Sequence, residues 1–163
     1  MKPIFPVTKC QDNQSGETAF FIQNVVKKGD KLEAQKITLD EAKEQLDKEK
    51  KPLFHIHGFN ELPTSFLTNM NGKKEDIDEF NLVPICWPSL DLSIDPRNDQ
   101  YSESRTLSEN AGLAFQNLKD AMEVFTRKSI MCHSMGNRVL RFAADSSFTF
   151  DNIFMVAAVR ETY

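Results

Sequence analysis

Residues 131–140, MCHSMGNRVL, decide how the chain reads. They set a serine, Ser134, between a short strand, RKSIMC (127–132), and GNRVLRFAADSS (136–147), which reads as helix. Strand, then x-Ser-x-Gly, then helix is the layout that projects a serine hydroxyl from a sharp turn at the carboxyl edge of a parallel sheet. Small residues flank such a serine because strand and helix pass close together, and here Cys132 and Gly136 hold those two positions. A serine hydroxyl is a poor nucleophile at neutral pH, so the stretch carries chemistry only where a histidine and an acid converge on it. The alternative for Ser134 is an ordinary helix N-cap, for which serine is a preferred residue.

Working outward, PLFHIHG (52–58) and LVPICWP (82–88) are apolar runs of the length a buried parallel strand needs, with helix signals between them. NIFMVAA (152–158) is a further apolar strand after the Ser134 helix. Thr38 and Glu41 make a capping signature ahead of TLDEAKEQLDKEKK, with Pro52 at the end of that helix. Thr106 and Glu109 make a second, ahead of a stripe formed by Leu107, Ala111, Ala114, Leu118, Ala121, Met122 and Phe125. TAFFIQNVV (18–26) and KLEAQKITL (31–39) flank a Lys-Lys-Gly-Asp turn and read as an N-terminal β-hairpin. Residues 88–104 have no period and mark a long irregular excursion. The βαβα alternation, without repeats or a linker, predicts one α/β domain over residues 1–163 with a doubly wound, mostly parallel sheet.

Composition narrows the function classes. The 163 residues are 40% hydrophobic, and 24 acidic against 20 basic side chains give a formal charge of −4. That balance offers no electrostatic footprint for nucleic acid or an anionic membrane. No window approaches the roughly 18 apolar residues of a membrane span, and no basic-then-apolar leader opens the chain, so a cytoplasmic protein is expected. Cys10, Cys86 and Cys132 are widely spaced and in no CxxC pair, which argues for reduced thiols over a disulfide framework or zinc cluster.

A second motif converges on Ser134. His57-Gly58-Phe59 ends an earlier apolar strand, where the N–H of Phe59 can join that of Met135 in an oxyanion hole. His57 is read as shaping that loop through hydrogen bonds rather than as moving protons. With HGFN (57–60), WPS (87–89) and HSMGN (133–137) on the page, the chain resembles the α/β-hydrolase superfamily, in its bacterial esterase/lipase-like branch, over roughly residues 17–158. The resemblance implies a serine hydrolase acting on carboxylic esters or thioesters, with Ser134 as nucleophile and Phe59 and Met135 as oxyanion donors. His57, Gly58, His133 and Gly136 support them, and neither cofactor nor metal is required.

The family order is serine, acid, histidine, and here the order breaks. The three histidines, His55, His57 and His133, all precede Ser134. His133 is its immediate neighbour and badly aimed as a base. Asp145, Asp151 and Glu161 remain as acids, Glu161 alone beyond a strand's carboxyl end. VAAVRETY resembles the end of the sixth of eight family strands, so a fold truncated there and a catalytically incomplete chain are expected. One alternative is a binding or interaction domain on the same scaffold. Another is a metal-dependent hydrolase using the H-x-H pair His55 and His57 with His133 or Cys132. An uncovered edge at 152–158 predicts a homodimer through that strand.

Overall fold

The computed structural model describes residues 4–12, 18–29, 31–72, 77–89, 100–115, 118–144 and 148–158. Seven strands form one sheet: β1 (Ile4–Asp12), β2 (Thr18–Lys28), β3 (Lys31–Lys36), β4 (Lys51–Ile56), β5 (Phe80–Cys86), β6 (Ser129–His133) and β7 (Asn152–Val156). Their spatial order is β3-β2-β1-β5-β4-β6-β7. The five strands from β1 to β7 in that order run parallel, while β2 and β3 extend the sheet antiparallel. The fold is therefore α/β with a mostly parallel sheet and an antiparallel extension.

The period-two alternation of the central strands sorts their side chains onto two covered faces. Phe54, Ile56, Val83, Ile85, Ile130 and Cys132 pack on one face against residues of α3 (Gln100–Phe115), α4 (Lys119–Glu123) and α5 (Gly136–Ala143). Leu53, Leu82 and Cys86 face the other way, onto Phe66, Leu67 and Met70 of α2 (Pro63–Gly72). Fully burying a side chain such as Ile130 or Phe115 is worth about 1.5–3 kcal/mol, so these two layers dominate stability. They also explain why the strands between them read as unbroken apolar runs.

Helix α1 (Leu39–Gln45) begins as expected: Thr38 Oγ1 accepts from the N–H of Glu41, whose carboxylate takes the Thr38 N–H at 2.7 Å. The Thr38 N–H, and next the Thr38 hydroxyl, bonded to the Glu41 carboxylate hold it below the usual carboxylate range. The helix ends at Gln45, well before Pro52, which lies buried in β4. Near the start of a strand its missing N–H is tolerated. The second capping signature does not act as one. Helix α3 starts at Gln100, and Thr106 lies inside it. Ser104 ties this first turn to the loop after β5, its hydroxyl shared between Ser89 O at 2.7 Å and Gln100 O at 2.8 Å. Glu109 instead pairs with Arg138 of α5.

The hairpin expected at 18–39 is β2–β3, closed at Gly29, whose φ of 60° suits glycine. Strand β1 was not expected from the sequence. It bulges between Ile4 and Pro6, and it joins β5 only at Thr8–Ile85 and Lys9–Cys86, just past Pro84. Among the described residues no strand lies beyond β7, where Ile153, Phe154, Met155 and Val156 are 54, 46, 62 and 43% exposed. No helix among the described residues is long and apolar enough to cross a membrane.

Alternating side chains put Ile153 and Met155 on one face of β7 and Phe154 and Val156 on the other, and no described strand pairs with the outer backbone edge between them. Self-association through this edge is expected to appear as concentration-dependent sedimentation that Met155→Lys shifts toward the monomer. Monomeric behaviour of both proteins at high concentration would remove the homodimer.

Candidate active site

Successive connections part company between β4 and β6. From β4 the chain passes through α2 to β5 on one side, whereas from β6 it passes through α5 to β7 on the other. The helices also change faces there, which makes the carboxyl ends of β4 and β6 the switch point where open α/β sheets gather ligands. Ile56 pairs with Cys132, and the residues just beyond each meet.

That meeting is very close. A Cβ built on Gly58 would stand 3.1 Å from Ser134 Cβ and 2.9 Å from His133 Nδ1. One built on Gly136 would stand 2.7 Å from the carbonyl oxygens of both Ile56 and His57. Glycine is therefore required at 136, where the atoms met are backbone, whereas at 58 a methyl would press on the exposed His133 ring and crowd Ser134 Cβ. Ser134 takes a φ of 50°, a left-handed conformation that costs a non-glycine residue about 1–3 kcal/mol and persists only when its surroundings hold it. Its N–H donates to Val156 O at 2.9 Å, and its carbonyl accepts from Asn137 N–H at 3.1 Å. Ser134 is not the N-cap of α5. Met135 holds that position without a side-chain bond, its own side chain buried in the core.

His57 is fully buried, and both of its ring nitrogens are engaged. The Trp87 N–H donates to Nε2 at 3.1 Å, which leaves the proton on Nδ1 to be donated to Gly58 O at 2.9 Å. Trp87 also donates its indole N–H to His57 O at 2.7 Å and stacks on the imidazole, ring centroids 5.6 Å apart. Burial pushes the His57 pKa down to about 4, against the pull of its bond to Gly58. The ring braces its own loop, and neither nitrogen can take a proton from Ser134 or ligate a metal without breaking those bonds.

The other histidines lie nearby in different settings. His55 is buried in β4 with Nδ1 2.9 Å from Met70 Sδ. His133 is exposed at the end of β6, against Gly58. Among the described residues no three His, Cys, Asp or Glu side chains are grouped to hold a metal. Cys132 is fully buried, and burial pushes its thiol up to about 12, as suits a close-packed position. Phe59 is half-buried, its ring against Tyr101 at 5.5 Å. Ser89 Oγ donates to Glu61 O at 3.1 Å, so with Ser104 it joins the loops after β4 and β5 to the start of α3. Asp151 is exposed before β7, while Asp145 and Glu161 lie outside the described residues.

Trp87 and Asn137 were not singled out by sequence reasoning. Both stand inside quoted motifs, WPS and HSMGN, whose polar or aromatic residues beside small ones were the available signal. Comparison with protein-family models, curated proteins and solved structures finds no match for this chain.

Replacing Gly136 by alanine forces a methyl against two backbone carbonyls, which have no rotamer to retreat into. Gly136→Ala is expected to lose about 1–3 kcal/mol in urea unfolding. The buried imidazole also sets a pH dependence. Folded His57 stays neutral down to about pH 4, whereas the unfolded chain protonates it near 6.5. Between those values the unfolded state binds more protons. Stability should therefore be full above about pH 6.5 and fall by about 3 kcal/mol toward pH 4. Urea unfolding at pH 7 and pH 5 checks this, and His57→Gln should flatten the difference.

Proposed function

We propose that the chain is a serine-nucleophile hydrolase of the α/β-hydrolase type, acting on carboxylic esters or thioesters, with Ser134 as the nucleophile. The observation that carries the reading is the left-handed Ser134 (φ 50°) on a strand-to-helix turn, pressed against Gly58 at the switch point of a parallel sheet. Strain of this kind at a ligand-gathering edge is a reason to look for function there. In this reading the N–H groups of Phe59 and Met135 take the charge that develops on the carbonyl oxygen as Ser134 Oγ attacks. His57 and Trp87 hold the loop that presents Phe59.

The general base is the missing part. His57 has both nitrogens bonded to backbone groups, and none of the residues after Ser134 is a histidine. Residues 1–163 by themselves are thus a hydrolase scaffold with nucleophile and oxyanion donors but without a complete triad. Such remnants retain about 10³–10⁴-fold catalysis over water in a well-studied protease, so slow turnover is the expected behaviour. The same engaged imidazole supports the second reading, a non-catalytic binding domain on this scaffold.

The experiment treats wild type and Ser134→Ala with a fluorophosphonate probe and a short-chain aryl ester. Slow probe labelling at Ser134, with weak ester hydrolysis that Ser134→Ala abolishes, is the expected result. Identical behaviour of the two proteins would overturn the hydrolase reading in favour of the binding domain. Turnover near the enzyme median of about 10 per second would instead reveal a base acting on Ser134.

A further inference from the structure

Asn137 is a polar side chain 8% exposed in the first turn of α5, where burial of an amide is costly unless its hydrogen bonds are made. Its Nδ2 donates to Ser134 O at 2.8 Å and to Val156 O at 3.2 Å. Two carbonyl acceptors identify that end of the amide as the nitrogen. These are the same two carbonyls that the elbow's own backbone uses: Val156 O receives the Ser134 N–H at 2.9 Å, and Ser134 O receives the Asn137 N–H at 3.1 Å. The amide thus completes a closed set of four bonds around a left-handed serine and the carboxyl end of the neighbouring strand. Val156 itself is followed by Ala157, also left-handed with a φ of 48°. The Asn137 carbonyl oxygen, Oδ1, is buried without a partner among the described residues, so the orientation is kept for the sake of the two bonds its nitrogen makes.

We infer that Asn137 is a positioning residue for Ser134: its side-chain amide ties the elbow to the end of β7 and holds the serine in its strained, left-handed conformation at the crossing. The consequence for reactivity rests on the hydrolase reading, whereas the clamp itself does not. The Gly58 and Gly136 contacts limit where the elbow can go on the β4 side. The Asn137 bonds supply the restraint on the β7 side, which otherwise depends on a single backbone bond. Small misplacements of a reacting group lower rate more than binding. Asn137 therefore acts on the rate of attack by Ser134 rather than on probe affinity.

The test compares Asn137→Ala with Asn152→Ala in the 163-residue chain. Asn152 is the matched control, since its Nδ2 bonds Ser129 Oγ at 3.2 Å and links the same two strands at their opposite end. Two quantities are read: amide hydrogen exchange at Ser134, and the saturating rate of fluorophosphonate labelling with its half-saturation concentration. For Asn137→Ala, exchange at Ser134 should quicken and the saturating rate fall, each by about tenfold or more, the size of the two hydrogen bonds lost. Half-saturation and exchange in β4 should stay as in wild type, and Asn152→Ala should leave both Ser134 quantities unchanged. Equal effects of the two variants, or loss of protection spread evenly over the sheet, would overturn the assignment. If Asn137→Ala does not fold, the wild-type side-chain amide protons decide. Slow exchange of the Asn137 NH₂ upholds the clamp and free-peptide exchange overturns it. Failure of wild type to label at Ser134 counts against the hydrolase reading alone, and exchange at Ser134 still decides the clamp.

Discussion

The structure hangs on one steric constraint, the crossing of the chain after β4 over the chain after β6. Gly58 lies against His133 and Ser134, and Gly136 lies against the carbonyls of Ile56 and His57, with little room for a methyl at the first and none at the second. A parallel pair of strands alone would not bring these segments so close. The approach requires β6 to turn sharply at its last residue, and the sharp turn is what puts Ser134 into the left-handed region. Strain at the serine, burial of Met135 and the path of α5 across the sheet are therefore consequences of one packing decision. The helix then lays Val139 and Ala143 into the core beside Ala111 and Phe115 of α3. Gly112 meets it there so closely that a Cβ would stand 2.6 Å from Val139 O.

Polar groups buried around the crossing decide what chemistry is open to it. A fully buried histidine with both nitrogens satisfied by backbone is a brace, and its low pKa follows chiefly from losing water, with a smaller push in the same direction from His133. Trp87 is the other half of that brace, since it gives two N–H bonds to His57 and covers the ring face. Ser89 and Ser104 extend the same logic outward, each spending its hydroxyl on a carbonyl of another segment. The loops at this edge are thus held by side chain to backbone bonds, which fix position without adding charge. In the proposed hydrolase reading, that environment leaves the proton acceptor for Ser134 to be found elsewhere.

The β7 side of the site is built differently. Where β4 is enclosed on both faces, β7 exposes apolar side chains on both, yet its last carbonyl is bonded to the Ser134 N–H and the Asn137 amide. An element with little burial of its own thus holds part of the most constrained turn in the molecule. Local opening favours segments with few buried apolar contacts, so motion of β7 would reach Ser134 through those bonds.

Much of this was legible in residues 131–140 and the runs around them because the signals are local. A short apolar run, a serine between small residues and an amphipathic stretch define strand, elbow and helix without reference to the rest of the chain. The Thr38 and Glu41 capping box is local in the same way, its bonds spanning three residues. What tertiary structure alone decided involves partners far apart in sequence. Strand β1 earns no periodic signal and exists as a strand because the edges of β2 and β5 are there to pair with it. The first turn of α3 is anchored by Ser104, which finds the carbonyl of Ser89. His57 and Trp87 lie 30 residues apart in sequence, and only their contact supplies the partner for Nε2 that the expected loop-shaping role of His57 needed. Asn137 reads locally as one more polar helix residue. Its role appears only once β7 brings Val156 alongside, because a hydrogen bond depends on the position of both partners and a sequence pattern states only one.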